Sequence, residues 1–153
     1  NFLKDKQIKS ISVELNENFK EQYNEVMNIN LHSVYMFSVA LSNAMKILKW
    51  GRIVNVGSSS SYGGFKNNVA YCVSKHGVLG LSRALHDELK VDGIRVYCVS
   101  PSSTKGKMGM STIGQDYSTF LEPKEVADYV MFVMSYDGNA VAEEVLIKRM
   151  IIR

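Results

Sequence analysis

Residues 51–57 read Gly51-Arg52-Ile53-Val54-Asn55-Val56-Gly57, and residues 94–100 read Ile94-Arg95-Val96-Tyr97-Cys98-Val99-Ser100. Both runs are short, rich in β-branched residues and closed by glycine or proline, the pattern of strands buried on both faces. They predict strands over Arg52–Gly57 and Ile94–Ser100, the second stopped by Pro101. Between them, Val69–Lys90 carries Ala70, Val73, Val78, Leu81, Leu85 and Leu89 at helical spacing. Strand, long helix and second strand predict parallel pairing through a helical crossover.

Working outward, Leu15–Trp50 is apolar at helical intervals from Phe19 to Leu48 and predicts a long helix ended by Gly51. Asn28 and Asn30 are poor helix formers, so a kink is expected between them. Ser58–Asn68 is a serine- and glycine-rich loop, and Asp92-Gly93 is a turn. Residues 102–121 read as a loop. Pro123 suits the first turn of a helix over Glu125–Met134, and Glu144–Ile151 reads as a last strand. Two right-handed crossovers would make a small parallel sheet with helices on its faces and with exposed edges.

The chain has 153 residues, 46% hydrophobic and 22% charged, with a formal net charge of +3. That composition suits one globular domain with a packed core. Lysines and arginines are scattered rather than striped, which argues against nucleic acid. No apolar run approaches the length of a membrane span, and no signal peptide is legible. Cys72 and Cys98 lie in apolar surroundings without CxxC spacing, so reduced thiols in a cytoplasmic protein are expected. His32, His76 and His86 share no metal-ligand spacing, and no metal site is expected.

Tyr71 and Lys75 are four residues apart on the second predicted helix, which stacks them on one face. Ser58 lies thirteen residues before Tyr71, where a buried strand runs into a loop. Ligands of parallel sheets collect at the carboxyl ends of the strands. Reduction of a carbonyl needs hydride at carbon and a proton at oxygen. A tyrosine with a reference pKa of about 10 serves only if a neighbouring cation stabilises its phenolate. Lowering that pKa by about 3 units takes roughly 4 kcal/mol, which a lysine and a nicotinamide cation could supply together. Ser58 would hold the substrate oxygen against the phenol. Ser59 is the alternative register.

Asn30, Ser58, Tyr71 and Lys75 resemble the Asn-Ser-Tyr-Lys tetrad of the short-chain dehydrogenase/reductase family. Their spacings of twenty-eight, thirteen and four agree with it, as do the strings MNINLHSVYMF, GRIVNVGS, AYCVSKHGVLGLSRALHDEL and GIRVYCVSP. The resemblance covers nearly all of residues 1–153 and is similar to the C-terminal, catalytic half of members such as the 3-oxoacyl-ACP reductases. It implies α/β architecture: the C-terminal part of a doubly wound, Rossmann-like parallel sheet whose N-terminal strands are missing. It implies an oxidoreductase that interconverts an alcohol and a carbonyl of a small molecule with NAD or NADP, the choice not being readable. By the resemblance Tyr71 is the general acid/base, Lys75 also holds the ribose hydroxyls, and Asn30 links Lys75 to solvent through a water. Pro101, Ser102 and Thr104 would lie against the nicotinamide, and the intact protein would be a homodimer or homotetramer through its two long helices.

The departures are specific. The TGxxxGxG loop and the NNAG motif of the family do not occur and would lie upstream of Asn1. The Pro-Gly turn is Pro101-Ser102, the usual threonine falls at Gly106, and Tyr97 stands where Asn is usual. Met108 and Met110 lie where the family places its substrate lid and could equally be loop packing. Gly77, Gly80 and Ala84 permit close helix approach, within the chain or between subunits. The competing expectation is a truncated, non-catalytic chain that binds no dinucleotide and at most binds a partner; on either reading the isolated chain is expected to be marginally stable, because Arg52–Gly57 lacks a neighbour.

Overall fold

The computed structural model describes residues 19–110, 112 and 114–151. The start of the first predicted helix, at Leu15, lies outside the described residues. Helix α1 (Phe19–Met27) passes into a π-helical turn (Asn28–His32) and on into α2 (Ser33–Leu48). The kink expected from Asn28 and Asn30 therefore takes the form of a π turn. The Ser33 N–H reaches back five residues to the Asn28 carbonyl, and Ser33 Oγ donates to the Ile29 carbonyl at 2.6 Å. The wider ring accommodates one extra residue, and such turns gather at functional sites. The stop of α2 is not Gly51. Lys49 takes the left-handed conformation (φ 49°), and the Trp50 N–H bonds the Met45 carbonyl at 3.3 Å, a Schellman-type end. Gly51 is already the first residue of β1 (Gly51–Val56).

A 3-10 turn (Ser59–Ser61) and α3 (Val69–Leu89) follow, then β2 (Ile94–Pro101). The 102–121 segment is mostly irregular, with one turn of helix, α4 (Lys107–Met110), and a 3-10 turn (Tyr117–Thr119). Helix α5 (Pro123–Ser135) starts two residues earlier than predicted. Pro123 occupies its first turn, and Glu122 and Glu125 form a reciprocal capping box across it. Strand β3 covers Glu144–Ile147 and stops short of the predicted Ile151. Its ladder ends where the Ser102 N–H meets the Ile147 carbonyl at 2.8 Å. Two residues on, the Arg149 N–H turns to Ser102 Oγ instead of continuing the pairing.

The sheet is parallel in the order β1-β2-β3, with Gly51↔Ile94 through Val56↔Val99 and Cys98↔Glu144 through Pro101↔Ile147 in register. Central β2 is almost wholly buried. Its alternation feeds two cores. Ile53, Ile94 and Val96 pack under Leu85 and Leu89 of α3, and Tyr97, Val99 and Ile147 pack under α5 through Val133. The crossovers β1–α3–β2 and β2–α5–β3 step in the same direction across the sheet but pass over opposite faces. They therefore have opposite hands, and at most one of the two obeys the right-handed preference. The 102–121 segment makes this possible, because it carries the chain over the C-terminal edge of the sheet before α5 begins.

Where β3 has not yet begun, the ladder is completed by a side chain. The Val96 N–H, on the same side of β2 as the Cys98 N–H that bonds Glu143, donates to Nδ1 of buried His86 at 3.2 Å. On the other side of the sheet, β1 has no neighbour among the described residues.

Candidate active site at the C-terminal edge of the sheet

Strand β1 delivers Ser58 to the C-terminal edge. Gly57 is required just before it: a Cβ there would lie 2.9 Å from Cys98 Sγ and 3.1 Å from Ser61 Oγ, and closer still to Ser100 Oγ. Ser58 is extended (φ −166°) and caps the 3-10 turn. Its Oγ accepts the Ser60 N–H at 3.1 Å, while Ser61 Oγ accepts the Ser58 N–H at 3.2 Å. The serine run is thus two reciprocal caps, a signal readable in the three-residue spacing of Ser58 and Ser61. Ser58 is barely exposed and Ser59 half-buried.

Tyr71 lies in the first turn of α3, half-buried, and Lys75 stands one turn further on. Lys75 Nζ lies 5.7 Å from the Tyr71 ring centroid and donates to the Val56 carbonyl at 2.9 Å. The Gly57 N–H points inward to the Val99 carbonyl at 2.8 Å, so across that trans peptide the Val56 carbonyl points outward, to the unpaired edge of β1. Lys75 is therefore anchored on the strand that leads to Ser58, at the edge of β1 away from β2, which is unpaired among the described residues. Burial pulls its ammonium below the ordinary 10.5, with a smaller opposing contribution from the Cys98 sulfur.

Asn30 projects from the π turn, and its Nδ2 donates to Ser74 Oγ at 3.2 Å. Ser74 Oγ in turn donates to the Tyr71 carbonyl at 2.7 Å. The direct partner of Asn30 is thus Ser74, a fully buried residue that the sequence reading did not single out. Gly77 lets Leu31 of the π turn pack close to α3, since a Cβ there would sit 2.6 Å from Leu31 Cδ2 and would push that side chain aside. Gly80 faces open space. His76 bonds its ring to the Cys72 carbonyl, so two of the three histidines have local partners within the fold.

The structure thus gathers Tyr71, Lys75 and the Ser58 turn at one end of β1 and joins Asn30 through Ser74. Pro101 ends β2 opposite Ile147. Ser102 is held between the Ile147 carbonyl and the Arg149 N–H, and Thr104 Oγ1 donates to the Ser102 carbonyl at 2.9 Å. Thr104 bridges Leu121, but that bridge uses the neighbouring Ser103 carbonyl and Lys105 N–H, leaving its own backbone groups directed away from Leu121. Met108 and Met110 are exposed on α4. Tyr62, Arg83 and Glu144 form a cluster that the sequence reading missed. Arg83 forks onto Glu144 at 2.5 and 3.1 Å, and Tyr62 donates to it at 3.0 Å. Its members are 61 and 82 residues apart, beyond any local pattern.

A parallel sheet with a serine turn, a tyrosine and a lysine gathered at its carboxyl edge has the layout of ligand-binding α/β domains. The profile of the short chain dehydrogenase family matches residues 9–116, and the chain belongs to that family. It is 31% identical over 128 residues to the 3-oxoacyl-[acyl-carrier-protein] reductase FabG of Haemophilus influenzae, covering 78% of this chain and 53% of that protein. It is 33% identical over 127 residues to the D-xylose 1-dehydrogenase of Caulobacter vibrioides, covering 76% and 51%. The chain thus spans about half the length of these curated relatives. Among solved structures, 4-hydroxyisoleucine dehydrogenase complexed with NADH superposes with a TM-score of 0.77 at 23% identity, covering 91% of this chain and 63% of that one. ElxO with NADP bound gives 0.77 at 22%, covering 88% and 59%. These two show the shared fold. Among the described residues no helix is long and apolar enough to cross a membrane.

Proposed function

We propose that this chain carries the proton-transfer and nicotinamide-riboside half of an NAD- or NADP-dependent oxidoreductase that interconverts a small carbonyl and its alcohol. The observation that carries the reading is the position of Lys75 Nζ, beside the Tyr71 ring and on the outward carbonyl that ends the strand leading to Ser58. The residues present fit one end of a dinucleotide. Lys75 has donors to spare beyond its one described bond and, with the Tyr71 hydroxyl, suits ribose hydroxyls at the free edge of β1. Ser102 and Thr104 line the approach from β2. A glycine-rich loop for the pyrophosphate does not occur in residues 1–153.

The bound cofactor would supply or accept the hydride. Tyr71 would give its hydroxyl proton to the substrate oxygen on reduction and take it back on oxidation. The Lys75 cation beside the ring stabilises the negative charge left on the phenol oxygen. Ser58, fixed by its reciprocal caps, would donate to the substrate oxygen and hold it in line. Asn30 and Ser74 hold the first turn of α3, so Asn30 acts on Tyr71 through the backbone as a positioning residue. Met108 and Met110, exposed on α4, would meet the substrate in this reading. The likeness to a 3-oxoacyl reductase makes a 3-oxoacyl thioester the first substrate to try. We extend the proposal to a cytoplasmic protein with two reduced, buried cysteines and to a homodimer or homotetramer through α2 and α3, where Tyr35, Met36, Val73 and Gly80 are exposed.

The test is fluorescence titration with NADH and NADPH, followed by turnover of a 3-oxoacyl thioester. Tyr71→Phe is expected to abolish turnover, because it removes the hydroxyl that gives and takes the proton, and to weaken cofactor binding only by the loss of one ribose contact, with Lys75 still in place. Normal turnover by that variant refutes the proton-donor role. Failure of the chain to bind either nucleotide favours the non-catalytic reading.

A further inference from the structure

The 102–121 segment leaves the C-terminal end of β2 and comes back beside its own start, with Leu121 bridged to Thr104. Several of its bonds are internal: the Leu121 N–H meets the Ser103 carbonyl at 3.0 Å, and the Gly106 N–H meets the Tyr117 hydroxyl at 3.1 Å. Its start bonds Ile147 of β3 through the Ser102 N–H, its end packs Leu121 into the core against Tyr97, Val99 and Ile147, and Arg149, just beyond β3, adds bonds to both limbs. The backbone N–H of Arg149 donates to Ser102 Oγ at 3.1 Å, at the departing limb. Its Nη1 donates to Thr119 Oγ1 at 3.0 Å and its Nη2 to Gln115 Oε1 at 2.6 Å, on the returning limb. Gln115 Oε1 also accepts Ser103 Oγ at 3.1 Å, which joins the two limbs. The guanidinium lies 4.7 Å from the centroid of the buried Phe120 ring. Its Nε is buried with no acceptor among the described residues.

Only an arginine makes this set of contacts. Its planar fork presents two diverging donors while its face stacks on a ring, whereas a lysine is a single point charge on a flexible stem. No described ion pair includes Arg149, so the contacts are to neutral acceptors and an aromatic face. A side chain that joins both limbs of a loop to a rigid strand end fixes the position of that loop. The loop leaves the C-terminal end of β2, which pairs with β1, the strand that leads to Ser58.

We propose that Arg149 is a positioning residue: it latches the 102–121 segment against the end of β3 and thereby sets how tightly the site takes its carbonyl substrate. The latch stands on the contacts alone, and its effect on substrate rests on the function proposed above. Arg149→Met keeps much of the apolar stem and removes the fork. It is expected to speed tryptic cleavage after Lys107, an exposed residue of α4, by about tenfold, because local opening becomes easier. KM for a 3-oxoacyl thioester is expected to rise about tenfold, with kcat within about twofold. Arg149→Lys should restore little of either, since charge without the fork cannot reach both acceptors.

Gln115→Ala with Thr119→Val removes the same bonds from the loop side and covers the case in which Arg149→Met does not fold. This pair should reproduce the rise in cleavage and in KM. Unchanged cleavage in these variants overturns the latch. Faster cleavage with unchanged KM overturns the positioning role and leaves the oxidoreductase reading intact. A wild-type chain that neither binds nicotinamide nor turns over removes that reading and the positioning role together, and the cleavage rates then decide the latch alone.

Discussion

Substituting Gly57 with alanine adds one methyl group at the point where β1 hands the chain to Ser58. The methyl carbon would enter a closed space walled by Cys98, Ser100 and Ser61, whose exposures are 0%, 0% and 1%. It would lie 2.9 Å from Cys98 Sγ and 3.1 Å from Ser61 Oγ, and inside contact distance of Ser100 Oγ. Ser100 lies on β2, the central strand, so the strain cannot be relieved by a loop. Overpacking of this kind costs about 1–3 kcal/mol. Ser61 Oγ also accepts the Ser58 N–H, so pushing it aside threatens one more hydrogen bond, worth about 0.5–1.5 kcal/mol. A loss of about 2–3 kcal/mol is therefore expected. Urea unfolding followed by far-ultraviolet circular dichroism should show a lower midpoint with an unchanged slope. Ser100→Ala removes the closest wall atom, so the loss caused by Gly57→Ala should shrink by more than about 0.5 kcal/mol in that background. A Gly57→Ala protein within about 0.5 kcal/mol of wild type, or an equal loss in both backgrounds, refutes the packing argument.

His86→Leu should cost about 1–3 kcal/mol, because it leaves the buried Val96 N–H without its acceptor. Amide exchange at Val96 should accelerate, and unchanged exchange would show that another group completes the ladder. The phenol of Tyr62 is pushed up to about 12, first by burial, then by its hydrogen bond to Glu144 and by that carboxylate's charge. With a folded value above the ordinary 10.0, its contribution to stability is fully present below pH 10 and is lost as pH rises through about 12. The phenolate absorbance that disappears in Tyr62→Phe should accordingly have its midpoint near pH 12, and a midpoint near pH 10 would contradict the Glu144 contact.

The sequence by itself determined the order of helices and strands, because helical periodicity and short β-branched runs bounded by glycine or proline are local properties of the chain. Val69–Leu89 and Ile94–Pro101 were legible to within a residue, and the stacking of Tyr71 under Lys75 follows from helical spacing alone. Asn28 and Asn30 announced an irregular turn, though not that it would be a π turn aimed at Ser74. The end of α2 was misread because the left-handed position is filled by Lys49, where glycine is the usual signal. Tertiary structure decided what depends on contacts between distant residues. It placed α3 and α5 on opposite faces, so that the crossovers differ in hand. It put Lys75 on the outward Val56 carbonyl, nineteen residues away, and spread Arg149 over partners 30 and 34 residues away. Such contacts follow from how the sheet stacks its layers and from where the backbone leaves a group unpaired, and neither quantity is written in any short window of the chain.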